Sequence, residues 1–176
     1  RQSDPIFIEI LDHFRTGNVT MRDVMRLNSR YVVPGMESDT LKITLATNNK
    51  VAKRINDERM AGLESEPHVY TALCEGDTRT LKDTVESELV LKEGAQVMFT
   101  RNDSLSRWVN GTLGTVKKLT DDGIVVTLEN DVDVDVDKAV WEVVEQEYNK
   151  EEKKCERKVV GRIQQYPLRL AWAITI

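Results

Sequence analysis

The sequence predicts a mixed α/β protein in which a strand-to-helix layer is followed by a small antiparallel β-barrel. Within residues 41–60, apolar residues first alternate with polar ones and then recur at helical spacing. After about residue 85 the helical spacing disappears, and short alternating segments separated by turn residues replace it. The mostly apolar segment 168–176 indicates a further strand that needs covering. These observations separate an α/β part from a β-rich part.

Two helices are predicted at the start of the chain. Asp4-Pro5 supplies an N-cap side chain and a proline at the first helical position, and Gly17 ends the apolar run that follows. Thr20 and Asp23 resemble a capping box at the start of a second short helix, which is expected to end before Pro34-Gly35. Both helices are expected only to pack. The apolar positions of the first helix are Ile6, Phe7, Ile10, Leu11 and Phe14.

The junction between the next strand and helix, Thr47-Asn48-Asn49-Lys50, consists of polar residues at a helix N-terminus. The unpaired N–H groups of a helix start, together with nearby hydroxyl groups, can receive a phosphate. The alternative is that Thr47 or Asn48 is an ordinary N-cap.

The β-rich part is predicted to form a small antiparallel barrel. Asn110-Gly111 and residues 121–123 supply the turn residues that tight hairpins need. Segment 131–137 alternates Val with Asp, which indicates one buried face and one acidic face rather than a calcium loop with its glycine turn and distal glutamate. The predicted strands lie near residues 90–91, 96–101, 114–119, 124–128 and 132–136.

Residues 145–158 contain five acidic and five basic residues and little apolar surface. This composition predicts an exposed loop or helix tip. A strand pattern returns at residues 159–163. The β-rich part is accordingly expected to span residues 86–163.

Composition excludes several classes of protein. The chain has 25 Lys and Arg against 30 Asp and Glu, a net charge of −5, which argues against binding nucleic acid through a wholly basic surface. No apolar run reaches the roughly 20 residues of a membrane span. Cys74, Cys155, His13 and His68 do not have the spacing of a zinc site, so no metal ligands are assigned.

A local basic track remains between Arg101 and Lys118, with Trp108 inside it. Cations that follow phosphates, combined with an aromatic ring that stacks on a base, are typical of single-strand binding. The alternative is that Trp108 fills the barrel and the basic residues only solubilise it.

The sequence contains no complete catalytic motif. Both the phosphate-binding loop GxxxxGK[ST] and the GxSxG motif are absent from it, so no catalytic residue is assigned. The N-terminus has no signal-peptide pattern and no initiator Met, and the apolar C-terminal segment needs covering. We expect the chain to be a piece of a longer protein.

Three segments, LKEGAQVMFTRND (91–103), RWVNGTLGTV (107–116) and VVGRIQQYPLRLAWAITI (159–176), closely resemble the Pif/RecD-like family of superfamily-one DNA helicases. RQSDPIFIEILDHFRTGNVT and TNNKVAKRIN fit the same family upstream. The resemblance implies a partial second RecA-like motor domain, residues 1–85 and 164–176, interrupted by an SH3-like barrel.

The resemblance also implies an ATP-dependent helicase that moves along single-stranded DNA, with five-prime to three-prime polarity typical of the family. ATP and Mg²⁺ would serve the parent protein, which would act in DNA repair and recombination, in the cytoplasm at the nucleoid. The partners would be single-stranded DNA and the first motor domain of the same parent chain, without a membrane. Since the family's ATP-binding motifs do not occur in this sequence, we expect the fragment alone to bind no cofactor and to be inactive.

Carried over to this sequence, the resemblance implies that the strand-to-helix junction and Thr175 contact the DNA backbone. It assigns DNA contacts to the barrel less firmly. Asn102 and Asn110 have turn formation as their alternative, and Thr175 has an ordinary strand role. A rival hypothesis makes the barrel a protein-interaction module of a helicase-like protein, and a nuclease subunit as parent stays open. The expected DNA-binding residues are Thr47, Asn48, Asn49, Arg101, Asn102, Trp108, Asn110, Lys117, Lys118 and Thr175.

Overall fold

The computed structural model describes residues 4–31, 41–81, 84–149 and 154–175. These residues belong to two compact units, one within residues 1–40 and one within residues 41–176. Each unit is described by itself below.

The first unit contains helices α1 (Pro5–Thr16) and α2 (Met21–Asn28), which confirms both predicted helices. The Asp4 carboxylate accepts the N–H groups that open α1, and Gly17 ends it with a φ of 74°. The predicted capping box of α2 is present. Of the five apolar positions predicted for α1, Ile10 is buried and the others are partly or mostly exposed. Pro34-Gly35 lies outside the described residues.

Asp23 joins the two helices. Its Oδ2 accepts hydrogen bonds from the Thr20 N–H at 2.9 Å and the Thr20 hydroxyl at 2.6 Å, and it lies 3.0 Å from Nδ1 of His13 in α1. These hydrogen bonds from Thr20 lower the pKa of Asp23 to about 2, with a smaller contribution from His13. The capping carboxylate therefore also links α2 to α1.

The second unit combines one long helix with short strands. Helix α3 spans Asn49–Ala61, and a single 3₁₀ turn spans Arg79–Leu81. The strands are β1 (Thr44–Ala46), β2 (His68–Thr71), β3 (Leu73–Gly76), β4 (Glu88–Leu91), β5 (Gln96–Phe99), β6 (Leu113–Thr120), β7 (Gly123–Leu128), β8 (Asp133–Val136), β9 (Ala139–Asn149), β10 (Lys154–Gln165), β11 (Leu168–Leu170) and β12 (Ala173–Thr175).

Strands from the two ends of this unit form a parallel pair. β1 pairs with β12, and the β-rich segment lies between them in the chain. The remaining strands form an antiparallel pair β2–β4, a three-stranded sheet β3–β10–β9 and a five-stranded sheet β11–β5–β6–β7–β8. The topology is that of an α/β layer with a β-rich insertion.

The main core belongs to the β-rich segment. It packs side chains from the five-stranded sheet against residues of β2, β4 and the loop before β6. Alternation in β7 and β8 buries Val and Ile on one face, as the sequence predicts. The largest of its fully buried apolar side chains are Phe99, Leu89, Leu91, Ile124, Val97, Val116 and Val126.

Each predicted strand of the β-rich part is present, but the closed barrel is not seen among the described residues. The five-stranded sheet ends at β11 on one side and β8 on the other, and these two strands do not pair. The strand after β8, β9, pairs with β10 in the three-stranded sheet instead of closing the five-stranded one. Residues 168–170, expected in the α/β layer, instead pair with β5 of this sheet.

The prediction of an exposed loop or helix tip at 145–158 is wrong for residues 145–149 and 154–158, which are strand. They extend the antiparallel ladder of β9 and β10, with Glu145 opposite Lys158. The backbone N–H and carbonyl groups of a two-stranded ribbon pair with each other even when neither face is buried. Such a ribbon therefore does not need the alternating apolar residues by which a strand is predicted.

Among the helices of the described residues, none combines the length and the hydropathy that crossing a bilayer requires.

Candidate nucleic-acid interface

Four of the predicted DNA-binding residues meet at one edge of the parallel strand pair. Ala46, the last residue of β1, is opposite Thr175, the last residue of β12. Thr47, Asn48 and Asn49 follow directly after Ala46 and are exposed. Because parallel strands end at the same side of a sheet, the topology brings residues 47–49 and Thr175 together.

Asn48 is the N-cap of α3. Its Oδ1 accepts the Val51 N–H at 3.0 Å, which confirms the N-cap alternative for this residue. Its Nδ2 donates to the Thr47 hydroxyl oxygen at 3.4 Å, so the Thr47 hydroxyl is left with its own hydrogen to donate. Asn48 thus shapes the helix start, while Thr47 keeps a donor at the edge.

Thr175 and Asn49 contact each other directly. The Thr175 hydroxyl donates to Asn49 Oδ1 at 2.6 Å across 126 positions of sequence. With its oxygen held by Thr175, the Asn49 amide presents its two Nδ2 hydrogens to the exposed edge. The Val51 N–H already donates to Asn48, so we count Asn49 Nδ2, the Thr47 hydroxyl and the N–H groups of Asn49 and Lys50 as donors available to an anion.

Lys50 also lies at this edge, although it is not among the residues predicted to bind DNA. It is exposed in the first turn of α3, a turn without acidic residues. A cation at the positive end of a helix is unfavourable unless an anion lies nearby. Helix starts usually carry Asp or Glu, so a lysine and no acidic residue directly after the N-cap could have indicated an anion site from the sequence alone.

Trp108 is not placed to stack on a base, which corrects the prediction for this residue. Trp108 is 5% exposed, and its ring stacks on Phe99 at a centroid distance of 4.3 Å and is covered by the Arg107 guanidinium at 4.5 Å. Both ring faces are therefore occupied within the protein. The alternative, in which Trp108 fills the core of the β-rich part, is correct.

Arg101, Asn102 and Asn110 have local roles in the structure. The Arg101 guanidinium donates to the Val140 carbonyl and lies 5.6 Å from the Trp141 ring. Asn102 Oδ1 accepts the Asn110 N–H at 2.8 Å, which fixes the loop between β5 and β6. The turn-forming alternative describes both asparagines, and Arg101 remains exposed.

Acidic side chains neutralise much of the predicted basic track. Lys117 pairs with Asp133, and Arg107 pairs with Asp103 and Asp137. Lys118, on the same strand as Lys117, is exposed. No described hydrogen bond joins these residues to the edge formed by residues 47–49 and Thr175, so the predicted residues form two separate groups.

Asp103 fixes the loop that carries Trp108. Its carboxylate accepts the side chain of Arg107 at 2.8–2.9 Å and the backbone N–H groups of Leu105 and Arg107 at 3.0 Å. The Arg107 hydrogen bonds hold the pKa of Asp103 well below its usual value of 3.8.

We expect Asp103→Asn to reduce the acid sensitivity of the chain. Because the pKa of Asp103 is lower in the folded state, its stabilisation is complete above about pH 4 and is lost as the pH falls below that value. Urea midpoints at pH 6 and pH 3 should therefore differ less for Asp103→Asn than for the wild type. Asp57→Asn, which removes an exposed carboxylate from α3, is the control and should keep the wild-type difference. An equal difference in all three proteins would contradict this prediction.

The described residues contain no group of three or more His, Cys, Asp or Glu side chains that could hold a metal ion.

The comparisons with known proteins agree on one family. The ATP-dependent DNA helicase Pif1 of Bdellovibrio bacteriovorus is 33% identical over 181 residues, which cover all of this chain and 39% of that protein. A crystal structure of Bacteroides sp Pif1 in complex with ADP-AlF4 matches with a TM-score of 0.88 and 28% identity, over 99% of this chain and 40% of that one. Bacteroides Pif1 bound to ssDNA matches over the same shares with a TM-score of 0.70 and 28% identity. No protein-family model matches.

The fold and the comparisons place the chain in the class of α/β helicase-like proteins. It spans about two fifths of the length of the Bdellovibrio relative. The chain belongs to the Pif1-like family of superfamily-one helicases.

Proposed function

We propose that this chain is part of an ATP-dependent DNA helicase and holds the backbone of single-stranded DNA at the edge formed by residues 47–50 and Thr175. The parent protein hydrolyses ATP and moves along the strand from five-prime to three-prime. The contact between Thr175 and Asn49 carries the proposal, because it aligns a strand tip, an amide and a helix start at one exposed edge. A relative solved with ssDNA supports it.

The chemistry of the edge suits a phosphate. The N–H groups at the start of α3 and the Nδ2 group of Asn49 donate hydrogen bonds, and Lys50 adds a positive charge. These groups recognise phosphate and not a base edge, so the contact should be independent of sequence. Lys118 and Arg101 supply a second, weaker group of cations on the β-rich part.

The residues of this chain do not fit ATP and Mg²⁺. The sequence has no GxxxxGK[ST] loop, and the described residues offer no cluster of metal ligands. Phosphoryl transfer needs a phosphate cradle and Mg²⁺ ligands. We propose that the first motor domain of the same parent chain supplies them, and that the chain alone does not hydrolyse ATP.

The finer architecture is also part of the proposal. The β1–β12 pair with α3 belongs to the second RecA-like motor domain, and the five-stranded sheet with its core belongs to an inserted SH3-like barrel. The parent acts in DNA repair and recombination, in the cytoplasm at the nucleoid.

The proposal predicts weak, salt-dependent binding of a fluorescent oligothymidine, measured by anisotropy. The logarithm of affinity should fall by roughly 0.7 per log unit of salt for each phosphate that is neutralised. Thr175→Val removes, with little change of shape, the hydroxyl that orients the Asn49 amide, and Lys50→Ala removes the charge. Each should weaken binding by about tenfold, the effect of losing one charge-assisted hydrogen bond or ion contact to the phosphate.

Lys53→Ala is the control for Lys50→Ala. Lys53 lies one turn further along α3 and already pairs with Asp57 at 2.8 Å, so its removal should leave the affinity almost unchanged. Absence of binding by the wild type at low salt would contradict the proposal and favour the protein-interaction module. Equal losses from Lys53→Ala and Lys50→Ala would show that α3 attracts DNA without a site at its start.

A further inference from the structure

The side-chain amide of Asn56 in α3 makes two hydrogen bonds with a single backbone residue, Ala173 of β12. Its Nδ2 donates to the Ala173 carbonyl at 2.9 Å, and its Oδ1 accepts the Ala173 N–H at 2.8 Å. An amide that presents a donor and an acceptor side by side replaces the groups of a neighbouring strand. Asn56 therefore attaches α3 to β12 as a strand would.

A second contact joins the same helix to the same strand. Asn49 Oδ1 accepts the Thr175 hydroxyl at 2.6 Å. Asn49 and Asn56 are seven residues apart, about two helical turns, and so lie on one face of α3. Ala173 and Thr175 are alternate residues of β12. Helix and strand are thus joined at two points along their length.

The second point of attachment constrains the helix in a way that the first does not. A single hydrogen bond at the helix start fixes one distance but leaves the helix free to pivot about that contact. A bidentate contact two turns away prevents both pivoting and sliding along β12. The direction of the N–H groups at the start of α3 relative to Thr175 is thereby fixed, and hydrogen bonds weaken steeply when this direction is wrong.

We propose that Asn56 is a positioning residue for the DNA-backbone edge. It does not contact DNA, but it holds the start of α3 in register with Thr175, so that one phosphate receives hydrogen bonds from the N–H groups of α3 and from the Asn49 amide that Thr175 orients. This inference rests on the proposed function, because it concerns the same edge.

Asn56 also contributes to stability, and the test must separate the two roles. Ala173 is 1% exposed, so loss of the Asn56 amide leaves a buried N–H and a buried carbonyl without partners. Gln165 is a matched control, because its amide, like that of Asn56, uses both of its ends to hold buried backbone groups. Its Nε2 donates to the Tyr70 carbonyl at 2.8 Å, and its Oε1 accepts the Tyr166 N–H at 2.9 Å.

The experiment measures oligothymidine anisotropy at several salt concentrations for the 176-residue chain and its variants, under conditions where circular dichroism shows each to be folded. Asn56→Ala should bind about tenfold more weakly, with a salt slope shallower by roughly 0.7, the value of one phosphate contact. Gln165→Ala should lose comparable stability but keep the wild-type affinity and slope. A lower folded fraction raises the apparent Kd in proportion and leaves the salt slope unchanged.

Asn56→Asp serves as the second variant if Asn56→Ala does not fold. It keeps the acceptor for the Ala173 N–H, replaces the donor and adds a negative charge. Gln165→Glu makes the same exchange at the control position, so the slope of Asn56→Asp should be shallower than that of Gln165→Glu. The inference fails if a folded Asn56 variant has the wild-type affinity and slope, or if Gln165→Ala changes them equally. If the wild type itself does not bind at low salt, the proposed function fails first and the positioning role with it.

Discussion

Replacing Trp108 with alanine is expected to lower the free energy of unfolding by about 3–5 kcal/mol, the usual range for a buried tryptophan. The ring lies between Phe99 and the Arg107 guanidinium, and the main core of the β-rich part surrounds it. Alanine would leave a cavity that the paired strands around it cannot close. Urea denaturation followed by circular dichroism measures the loss.

Two further variants define the cause of this loss. Trp108→Phe keeps an aromatic ring and removes an indole N–H that has no hydrogen-bond partner among the described residues, so it should cost less than Trp108→Ala. Trp141→Ala removes a tryptophan that is only partly buried in β9, and its effect should also be smaller. A stable Trp108→Ala protein that has lost DNA binding would restore the base-stacking role.

The sequence predicted elements well wherever local chemistry determines them. Asp4, Gly17 and the Thr20–Asp23 capping box act within a few residues of themselves, so the pattern alone predicts the helix ends. The strands between β4 and β8 were predicted for the same reason, because alternation and turn residues are local signals. Their existence did not depend on how the sheets are arranged.

How the strands pair into sheets was harder to predict, because it depends on contacts between residues that are distant in sequence. The charged ribbon of β9 and β10 pairs residues such as Glu145 and Lys158, and its backbone ladder outweighs a composition typical of loops. The open sheet results from this ribbon, since β9 leaves β8 to pair with β10. Neither feature has a signal within a short window of sequence.

The candidate site shows the same division between residue type and residue environment. The junction at residues 47–49 was predicted from its polar residues, but the contact between Asn49 and Thr175 becomes visible only when β1 and β12 pair. The chemistry of Trp108 and Lys117 predicts contacts with DNA. In the fold, Trp108 is buried and cannot stack on a base, and the charge of Lys117 is paired with Asp133. Sequence gives the type of side chain, whereas exposure depends on the fold.

Gly161 is the position where a single added methyl group should be most disruptive to the backbone. In β10 it is opposite Gly76 of β3 on one side and Val143 of β9 on the other. A Cβ atom at Gly161 would lie 2.0 Å from the Asp77 carbonyl oxygen, and one at Gly76 would lie 2.2 Å from the Val160 carbonyl oxygen. Both obstacles are backbone atoms, which no change of rotamer can move aside.

Gly161→Ala should therefore lower the free energy of unfolding by about 3 kcal/mol, the upper end of the usual cost of overpacking. The expected mechanism is separation of β3 from β10, including loss of the 2.9 Å hydrogen bond from the Asp77 N–H to the Val160 carbonyl. Gly123→Ala is the matched control, because its new Cβ would lie 3.5 Å from the Thr120 hydroxyl, an ordinary contact. Equal urea midpoints for the two variants would mean that the β3–β10 pairing accommodates the added methyl group without loss of stability. A large loss confined to Gly161→Ala would identify the paired glycines as the feature that lets the three-stranded sheet form.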